Sequence, residues 1–207
     1  MFTGREVLFD SQVLITNRQG VIADIVTEAD AGDDIEYLEG ILTPGFINCH
    51  CHLELSHMKG VIAPGCGLVN FIQKVVAERA VADELIMAAI DEAEKEMLRN
   101  GIVAVGDICN NAITVPQKVK GNLAYHNFIE VTGFIPAAAG KRFQLMLDVF
   151  REFEKRLPAN SITPHAPYSV SPQLFTMINE TAGNRLLSIH NQEIADENDL
   201  FEKGTGD

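Results

Sequence analysis

From residue 42 onward, the chain alternates short apolar segments with longer segments in which apolar residues recur every three or four positions. A nearly continuous apolar run such as IVAVGDI is typical of a strand that is covered on both faces. Strands are predicted at 41–50, 102–108, 122–131, 161–167 and 185–193, and helices at 68–80, 83–101, 141–157 and 171–183. This alternation predicts an α/β fold with a parallel sheet of about five strands, open or closed.

The predicted helices are amphipathic, and three of their ends carry signals. One face of 83–101 is formed by Ile86, Ile90, Ala93 and Met97. The apolar side of 141–157 is formed by Phe143, Met146, Leu147, Phe150, Phe153 and Leu157, and Pro158 ends that helix. Asp83 and Ser171 are predicted N-caps, and Gly101 is a predicted C-terminal stop. The helices are therefore expected to pack one side against the sheet.

The first 41 residues have a different pattern. Residues 5–27 contain two runs rich in β-branched residues, separated by the turn sequence NRQG, and an acidic connector follows at 28–40. This pattern predicts a small antiparallel unit. We therefore expect two regions, 1–41 and 42–207.

The composition excludes several classes of protein. The formal net charge is −13, so a broad basic surface for nucleic acid or anionic membranes is not expected. No apolar run approaches the about 20 residues that span a bilayer, and the N-terminus does not resemble a secretory signal. Four cysteines are too few for a disulfide scaffold, and reduced thiols are expected. These features predict a cytoplasmic protein.

Histidines are concentrated at the end of the first strand of the second region. On a strand, His50 and His52 share one face, about 6.6 Å apart along the chain, and their rings can reach one ion. Cys49 and Cys51 then point the other way, so CHCH is not interpreted as a Cys₂His₂ zinc site. The two cysteines are expected to pack as small apolar residues against the helices.

Two more histidines end predicted strands. His165 and His190 each lie at a C-terminal strand end, and in a closed α/β barrel these ends surround the active site. Together with the His50 and His52 pair they would converge on one rim. By contrast, His57 lies in a predicted loop and His126 within a strand. Both are expected to be ordinary hydrogen-bonded residues.

An acidic residue follows the last of these strands. Glu193 lies three residues after His190, where a carboxylate could take a proton from a metal-bound water and return it to a leaving group. The next acids along the chain, Asp196, Glu197 and Asp199, are expected to be ordinary acids at the start of a helix.

Three motifs, PGFINCHCHLELS, HAPYSVS and SIHNQE, resemble the amidohydrolase superfamily in order and spacing. The similarity is to the branch that holds cytosine deaminase, chlorohydrolases and adenosine-type deaminases. NCHCHLELS followed by LVNFIQKVVAERA is most similar to the aminofutalosine deaminase subgroup. The resemblance implies a (β/α)₈ TIM-type barrel, incomplete here, and makes 1–41 the N-terminal part of a small β-sandwich.

The resemblance also implies a metal centre. It assigns His50, His52 and His190 as ligands of a divalent metal, zinc or iron, and Glu193 as the catalytic proton shuttle. The implied reaction is metal-assisted hydrolytic deamination of an amino-substituted purine or pyrimidine ring.

Three further residues are implied in the substrate pocket. His165 corresponds to a substrate-contacting histidine that would hold the tetrahedral species. Glu130, at the end of the third strand, and Glu54, two residues after the histidine pair, are additional candidates for substrate binding.

The family also uses a histidine after the sixth strand and an aspartate after the eighth. This chain reaches only the fifth predicted strand, so we expect a truncated chain that binds metal weakly and lacks activity alone. Unpaired strand edges would favour association, and a homo-oligomer is expected. Two alternatives stay open. One is a chlorohydrolase or other C–N hydrolase of the superfamily, and the other is a non-catalytic metal-binding half-domain that assembles with another chain.

Overall fold

The computed structural model describes residues 1–9 and 11–206 and divides into two compact units, with the boundary after Gly45. In the first unit, β1 (Gln12–Thr16) and β2 (Ile22–Thr27) form an antiparallel hairpin. The side chain of Asn17 accepts the backbone N–H of Gln19 and of Val21, each at 3.0 Å. This Asx-type turn forms at the predicted NRQG position, because Asn supplies the acceptor that the turn needs.

The second unit is a parallel α/β fold, as predicted. Its described strands are β3 (Phe46–Cys51), β4 (Ile102–Cys109), β5 (Ala124–Val131) and β6 (Asn160–Pro164). They pair in chain order, β3-β4-β5-β6, and every pair is parallel. The helices are α1 (Leu68–Glu78), α2 (Asp83–Arg99), α3 (Val115–Lys118), α4 (Ala139–Glu154), α5 (Pro172–Ala182) and α6 (Ala195–Lys203). Short 3₁₀ turns cover Leu53–Met58, Pro136–Ala138 and Pro167–Ser169.

The fifth predicted strand is wrong as a strand. Residues 185–193 run beside the end of β6 without forming a ladder in the described structure. The Thr163 hydroxyl accepts the Ser188 N–H at 2.8 Å and donates to the Ser188 carbonyl, so a side chain takes the place of ladder bonds. One backbone bond does form, from the His190 N–H to the His165 carbonyl at 2.8 Å. This bond fixes His190 beside the end of β6.

An irregularity in β3 shapes the end of the first strand. The pairing of β3 with β4 shifts register between Asn48 and Cys51. The shift brings the Cys49 carbonyl against Gly106 of β4, where an added Cβ would lie 2.6 Å from that oxygen. Only glycine fits there. Cys49 is exposed and Cys51 partly buried, so the expected packing of both cysteines against helices is wrong for Cys49.

The helix-covered side of the sheet holds the apolar core. The face of α4 that the sequence predicts supplies Phe143, Phe150 and Phe153 to this core, where they meet Ile129 and Val131 of β5 and residues of α5. In α2, Ile90 is 1% exposed, in agreement with the predicted face. This packing fixes the orientation of the strands, and with it the position of their C-terminal ends.

The helix ends are mostly as predicted. Ser171 caps α5 by accepting the Leu174 N–H at 3.4 Å, and Gly101 follows α2 with a φ of 76°. Asp83 is wrong as an N-cap. It is the first residue of α2, and Ala82 occupies the cap without a side-chain bond. As an acid in the first turn, Asp83 still complements the helix dipole.

Among the described residues, no helix is both long enough and apolar enough to cross a bilayer.

Candidate metal and catalytic site

The end of β3 brings two imidazoles together. The Nε2 atoms of His50 and His52 lie 3.3 Å apart, although the strand is irregular at this point. His50 is exposed at the rim and His52 is partly buried. The predicted pairing of the two rings on one side of the strand therefore agrees with the geometry.

His190 lies against this pair from the far edge of the sheet. Its ring centroid is 4.7 Å from that of His50 and 5.4 Å from that of His52. One nitrogen from each of the three rings falls within 4.8 Å of the others. The structure thus gathers the three predicted metal ligands, although their role as ligands stays a prediction.

A second group of donors adjoins the first. Glu130 at the end of β5, His165 just after β6, and His190 each offer a ligand atom within 4.8 Å of the other two. The Glu130 Oε1 atom is 3.4 Å from His190 Nε2, and Glu130 Oε2 accepts the Asn110 side-chain N–H at 3.1 Å. The Nδ1 atom of His165 pairs with the Ser169 hydroxyl at 2.7 Å. We call His50, His52, Glu130, His165 and His190 together the histidine rim.

The electrostatics of the histidine rim favour metal binding. Burial lowers the pKa of His50, His52 and His165, which favours the neutral imidazole that can ligate a metal. The Glu130 carboxylate raises the pKa of His190 against the effect of burial. Burial opposes ionisation of Glu130, but the neighbouring histidines and Asn110 outweigh it and lower the pKa of this carboxyl.

The residues present fit a divalent ion. The Nε2 atom of His190 and the Oε1 atom of Glu130 are buried and have no hydrogen-bond partner in the described chain. Buried polar atoms are rarely left unpaired in proteins, and a bound ion is one way to satisfy them. Three imidazoles and a carboxylate are donors that suit zinc or iron.

Glu193 lies beside the donors, as the sequence predicts. Its Oε1 atom is 3.2 Å from His190 Nδ1, which leaves the other ring nitrogen of His190 facing the rim. Gln192, one residue earlier, adopts a left-handed φ of 56°, which is strained for a non-glycine residue. The strained turn projects Glu193 from the segment that carries His190.

Glu197 makes a contact with Glu193 that the sequence analysis did not predict. It was expected to be an ordinary acid at the start of a helix, but it is 4% exposed and its Oε2 atom accepts the Glu193 backbone N–H at 3.0 Å. The sequence signal for this contact is that Glu197 follows Glu193 by four residues. This spacing places Glu197 in the first turn of α6, close to the Glu193 backbone. Glu197 therefore fixes the backbone of the candidate proton shuttle.

Glu54 is buried and already engaged. Its Oε2 atom accepts the backbone N–H of Asn110 at 3.0 Å and of Asn111 at 3.3 Å. Burial raises the pKa of Glu54 to about 7, against the effect of these N–H donors. Its predicted contact with substrate stays a prediction, and the observed contacts give it a structural role in holding the loop after β4.

The other two histidines have the ordinary partners that were expected. His57 Nε2 lies 3.0 Å from the Arg79 carbonyl, and His126 Nε2 lies 3.0 Å from the Ser161 hydroxyl.

An open cleft adjoins Glu193. Its volume is about 390 Å³, and it is lined by residues 62–68, Phe71, Glu193 and Ile194. The lining is mainly apolar, with the Glu193 carboxylate at one side. A mainly apolar lining with a few polar groups is common in small-molecule sites.

Comparison with known proteins identifies the class. Residues 41–207 match the amidohydrolase family, so the chain belongs to this family. Among curated relatives, it is 27% identical to the adenosine deaminase of Helicobacter pylori over 169 residues. It is also 27% identical to the aminodeoxyfutalosine deaminase of a Nitratiruptor species over 177 residues. The predicted superfamily is therefore confirmed.

A solved structure agrees on the fold. Aminofutalosine deaminase of Helicobacter pylori in complex with methylthio-coformycin matches 97% of this chain, with a TM-score of 0.76 and 24% identity. This likeness confirms the predicted barrel class, of which the described residues form four strands.

The chain spans less than half the length of these proteins. The matched regions cover 80% of this chain and 41% of the Helicobacter pylori adenosine deaminase, and 81% of this chain and 42% of the Nitratiruptor protein. The match covers 49% of the solved structure.

Proposed function

We propose that this chain carries the metal-binding half of a hydrolytic deaminase that acts on an amino-substituted purine or pyrimidine ring. The observation that carries the proposal is the convergence of His50, His52 and His190 within 4.8 Å, with Glu193 at 3.2 Å from His190. Relatives that bear the names adenosine deaminase and aminodeoxyfutalosine deaminase support an adenosine-like or aminofutalosine-like substrate.

The three imidazoles would hold one divalent ion, zinc or iron. When bound, such an ion lowers the pKa of a coordinated water, from about 15.7 toward about 7 in well-known zinc sites. The lowered pKa values of His50 and His52 keep these rings neutral near pH 7, so little proton competition is expected there.

Glu193 is the proposed proton carrier. It takes one proton from the attacking water and delivers it to a ring nitrogen of the substrate. It then takes the second proton, from the hydroxyl of the tetrahedral species, and delivers it to the amino group, which leaves as ammonia. The ring carbon thereby exchanges its amino group for the oxygen of water. The Glu197 carboxylate helps to position Glu193, because it accepts the Glu193 backbone N–H.

His165 is the proposed contact to the tetrahedral species. Its Nδ1 atom is paired with the Ser169 hydroxyl, so Nε2 is the nitrogen left to face a substrate. The cleft beside Glu193 would take the rest of the substrate. Its volume of about 390 Å³ lies in the range of small-molecule pockets, roughly 300–1,000 Å³.

A non-catalytic half-domain that assembles with a second chain is the alternative, and a specific observation favours it. Phe46 and Ile47 of the edge strand β3 are 60% and 65% exposed, which is unusual for a barrel strand. The same exposed edge supports a homo-oligomer. The cytoplasmic location proposed for the protein is supported by its four free cysteines.

The test is release of ammonia from adenosine, aminofutalosine and cytosine, with chloride release from a chlorotriazine as the alternative reaction. It compares the 207-residue chain with any longer product of the same gene, each loaded with zinc or with iron. We expect ammonia release from a purine substrate by the longer product only, and its loss in Glu193→Gln with metal content retained. Metal binding without any hydrolysis by either protein would favour the half-domain.

A further inference from the structure

The backbone leaves the sheet at His52, one of the three predicted metal ligands. In the described chain, the pairing of β3 with β4 reaches Cys51, which lies opposite Asp107. His52 has φ −118° and ψ 74°, whereas a parallel strand has ψ near about 115°. The ladder therefore does not fix the backbone on the C-terminal side of His52, and another contact has to hold it.

The side chain of Asp107 makes that contact. The backbone N–H of Leu53 donates to Asp107 Oδ1 at 2.8 Å, across 54 residues of sequence. The bond is fully buried, since Asp107 is 0% exposed and Leu53 is 1% exposed. Hydrogen bonds to an ionised carboxylate are shorter and stronger than neutral ones. This bond fixes the peptide plane between His52 and Leu53, and with it the ψ angle of His52.

The carboxylate of Asp107 is itself held in place. Its Oδ2 atom lies 2.5 Å from Lys118 Nζ, and Lys118 also donates to Asn127 Oδ1 at 2.7 Å. Lys118 ends α3 and Asn127 lies on β5, so the carboxylate is tied to two other elements. The two oxygens have separate partners. Oδ2 belongs to the buried ion pair, and Oδ1 is committed to the Leu53 N–H.

The other histidine of the pair is held less firmly. The His50 N–H donates to Asn48 Oδ1 at 3.3 Å, and His50 is exposed. The Nε2 atoms of His50 and His52 lie 3.3 Å apart, and groups that bind one ligand must be held within about 0.5 Å. The ring of His52 extends far from its backbone, so a small rotation at ψ would change this separation. The spacing of the two rings therefore depends on the Leu53 bond.

We propose that Asp107 is a positioning residue for the metal centre, because its Oδ1 atom holds the His52–Leu53 peptide and thereby the ring of His52. This inference rests on the proposed metal-dependent function. It leaves His50, His52 and His190 as the predicted ligands and adds none. Asp107 acts through His52 and does not touch the ion.

The test compares two variants without the ion pair that differ in the acceptor for Leu53. Asp107→Asn/Lys118→Met, the acceptor variant, keeps a side-chain oxygen for the Leu53 N–H, whereas Asp107→Leu/Lys118→Met, the apolar variant, has none. Removing both charges leaves neither one buried alone, and apolar replacement of a buried ion pair is often tolerated. Amide hydrogen exchange without metal should be faster at Leu53 in the apolar variant than in the acceptor variant.

Zinc affinity is then measured by competition with a chromophoric chelator, together with the visible spectrum of the Co²⁺-loaded chain. The apolar variant should bind zinc about 10-fold more weakly than the acceptor variant, since partners outside the ligand shell are worth about 10–100-fold. Its Co²⁺ bands should also shift. Lys118→Met alone is the matched control. It keeps Asp107 and the Leu53 bond, so its zinc affinity should equal that of the wild type despite its lower stability.

Two results overturn the proposal. One is equal zinc affinity in the acceptor and apolar variants although Leu53 exchanges faster in the apolar one. The other is a zinc affinity that follows the urea midpoints of the variants, with Lys118→Met weakened as well, because the bond would then serve stability alone. If the apolar variant does not fold, Asp107→Ala/Lys118→Met replaces it, since a smaller side chain adds no crowding.

His190→Ala separates this inference from the proposed function. If His190→Ala loses zinc while the acceptor and apolar variants bind it equally, only the positioning role of Asp107 is wrong. If His190→Ala binds zinc as tightly as the wild type, the proposed metal-dependent function fails, and this inference fails with it.

Discussion

Two buried polar clusters of the second unit have their hydrogen-bonding groups satisfied in different ways. The lysine cluster is formed by Asp107, Lys118, Asn127 and Asn160, all of them buried. Lys118 Nζ is 2.5 Å from Asp107 Oδ2 and 2.7 Å from Asn127 Oδ1. Asn127 donates to Asn160 at 2.8 Å. In the part of the chain that the structure describes, no side-chain polar atom of this cluster lacks a partner.

The histidine rim is the opposite case. In the described residues, His190 and Glu130 each have a buried atom without a hydrogen-bond partner. Burial lowers the pKa of His50, His52 and His165, which favours their neutral form. A cluster that satisfies itself stabilises a fold, whereas a cluster with aligned unsatisfied donors is prepared for a ligand. The comparison therefore assigns the lysine cluster to stability and the histidine rim to binding.

The largest expected effect is in the lysine cluster. Lys118→Met should destabilise the protein by about 3–5 kcal/mol, because it leaves the Asp107 carboxylate buried without its partner ion. Urea unfolding of the metal-free chain measures this loss. Lys120→Met is the matched control, since Lys120 pairs with Asp91 at the surface and its removal should hardly move the midpoint. Equal urea midpoints for the two variants would contradict the stabilising role of the lysine cluster.

The next effect is in the histidine rim and depends on metal. Free zinc at one hundred times its dissociation constant should stabilise the wild-type chain by about 2.7 kcal/mol, because only the folded state gathers the ligands. In His190→Ala this stabilisation should disappear, while Lys118→Met should keep it in full. Paired urea curves with zinc and with a chelator measure it. A zinc response that is lost in Lys118→Met and kept in His190→Ala would reverse the assignment.

A smaller effect is expected beside the rim. Glu197→Ala should cost about 0.5–1.5 kcal/mol, since it removes the partly buried hydrogen bond from the Glu193 N–H. Glu197→Gln keeps an oxygen acceptor and should cost less than half as much. Urea midpoints of the two variants give the difference, and equal midpoints would show that the hydrogen bond contributes nothing.

The smallest effect concerns His126, a histidine with an ordinary partner. Burial lowers its pKa, so near pH 6.5 the unfolded chain binds more protons at this position than the folded chain does. Stability is therefore unaffected by His126 above that pH and falls as the pH drops below about 6.5. An NMR titration should place the pKa of His126 below 6.5 with and without zinc. A pKa above 6.5, or one that moves with zinc, would contradict the distinction between His126 and the rim.

Sequence patterns predicted the parallel sheet and the main helices well, because each rests on local periodicity. The aromatic face of α4 and the Ser171 cap are examples. The convergence of His50, His52 and His190 was also predictable, since C-terminal ends of parallel strands meet at one edge. The prediction of a strand at 185–193 was wrong. The apolar sequence of this segment does not reveal that the Thr163 side chain, rather than a backbone carbonyl, accepts the Ser188 N–H.

Long-range polar contacts were not predictable. Lys118 and Asp107 are 11 residues apart, and Asn110 and Glu130 are 20 apart, so no local pattern joins them. Glu197 differs, because it lies only four residues after Glu193. Asp196 and Asp199 lie beside it, so the sequence did not show which of these acids contacts Glu193. Buried polar partners depend on how strands and loops pack, and this information lies in the fold as a whole.

The most direct test of the metal centre is a crystal structure of the zinc-loaded chain, with anomalous diffraction at the zinc edge. We expect one strong anomalous peak bonded to His50, His52 and His190, at about 2.0–2.1 Å from one nitrogen of each. A peak bound elsewhere, such as at the exposed Cys49, or three rings too far apart to share the ion, would contradict it.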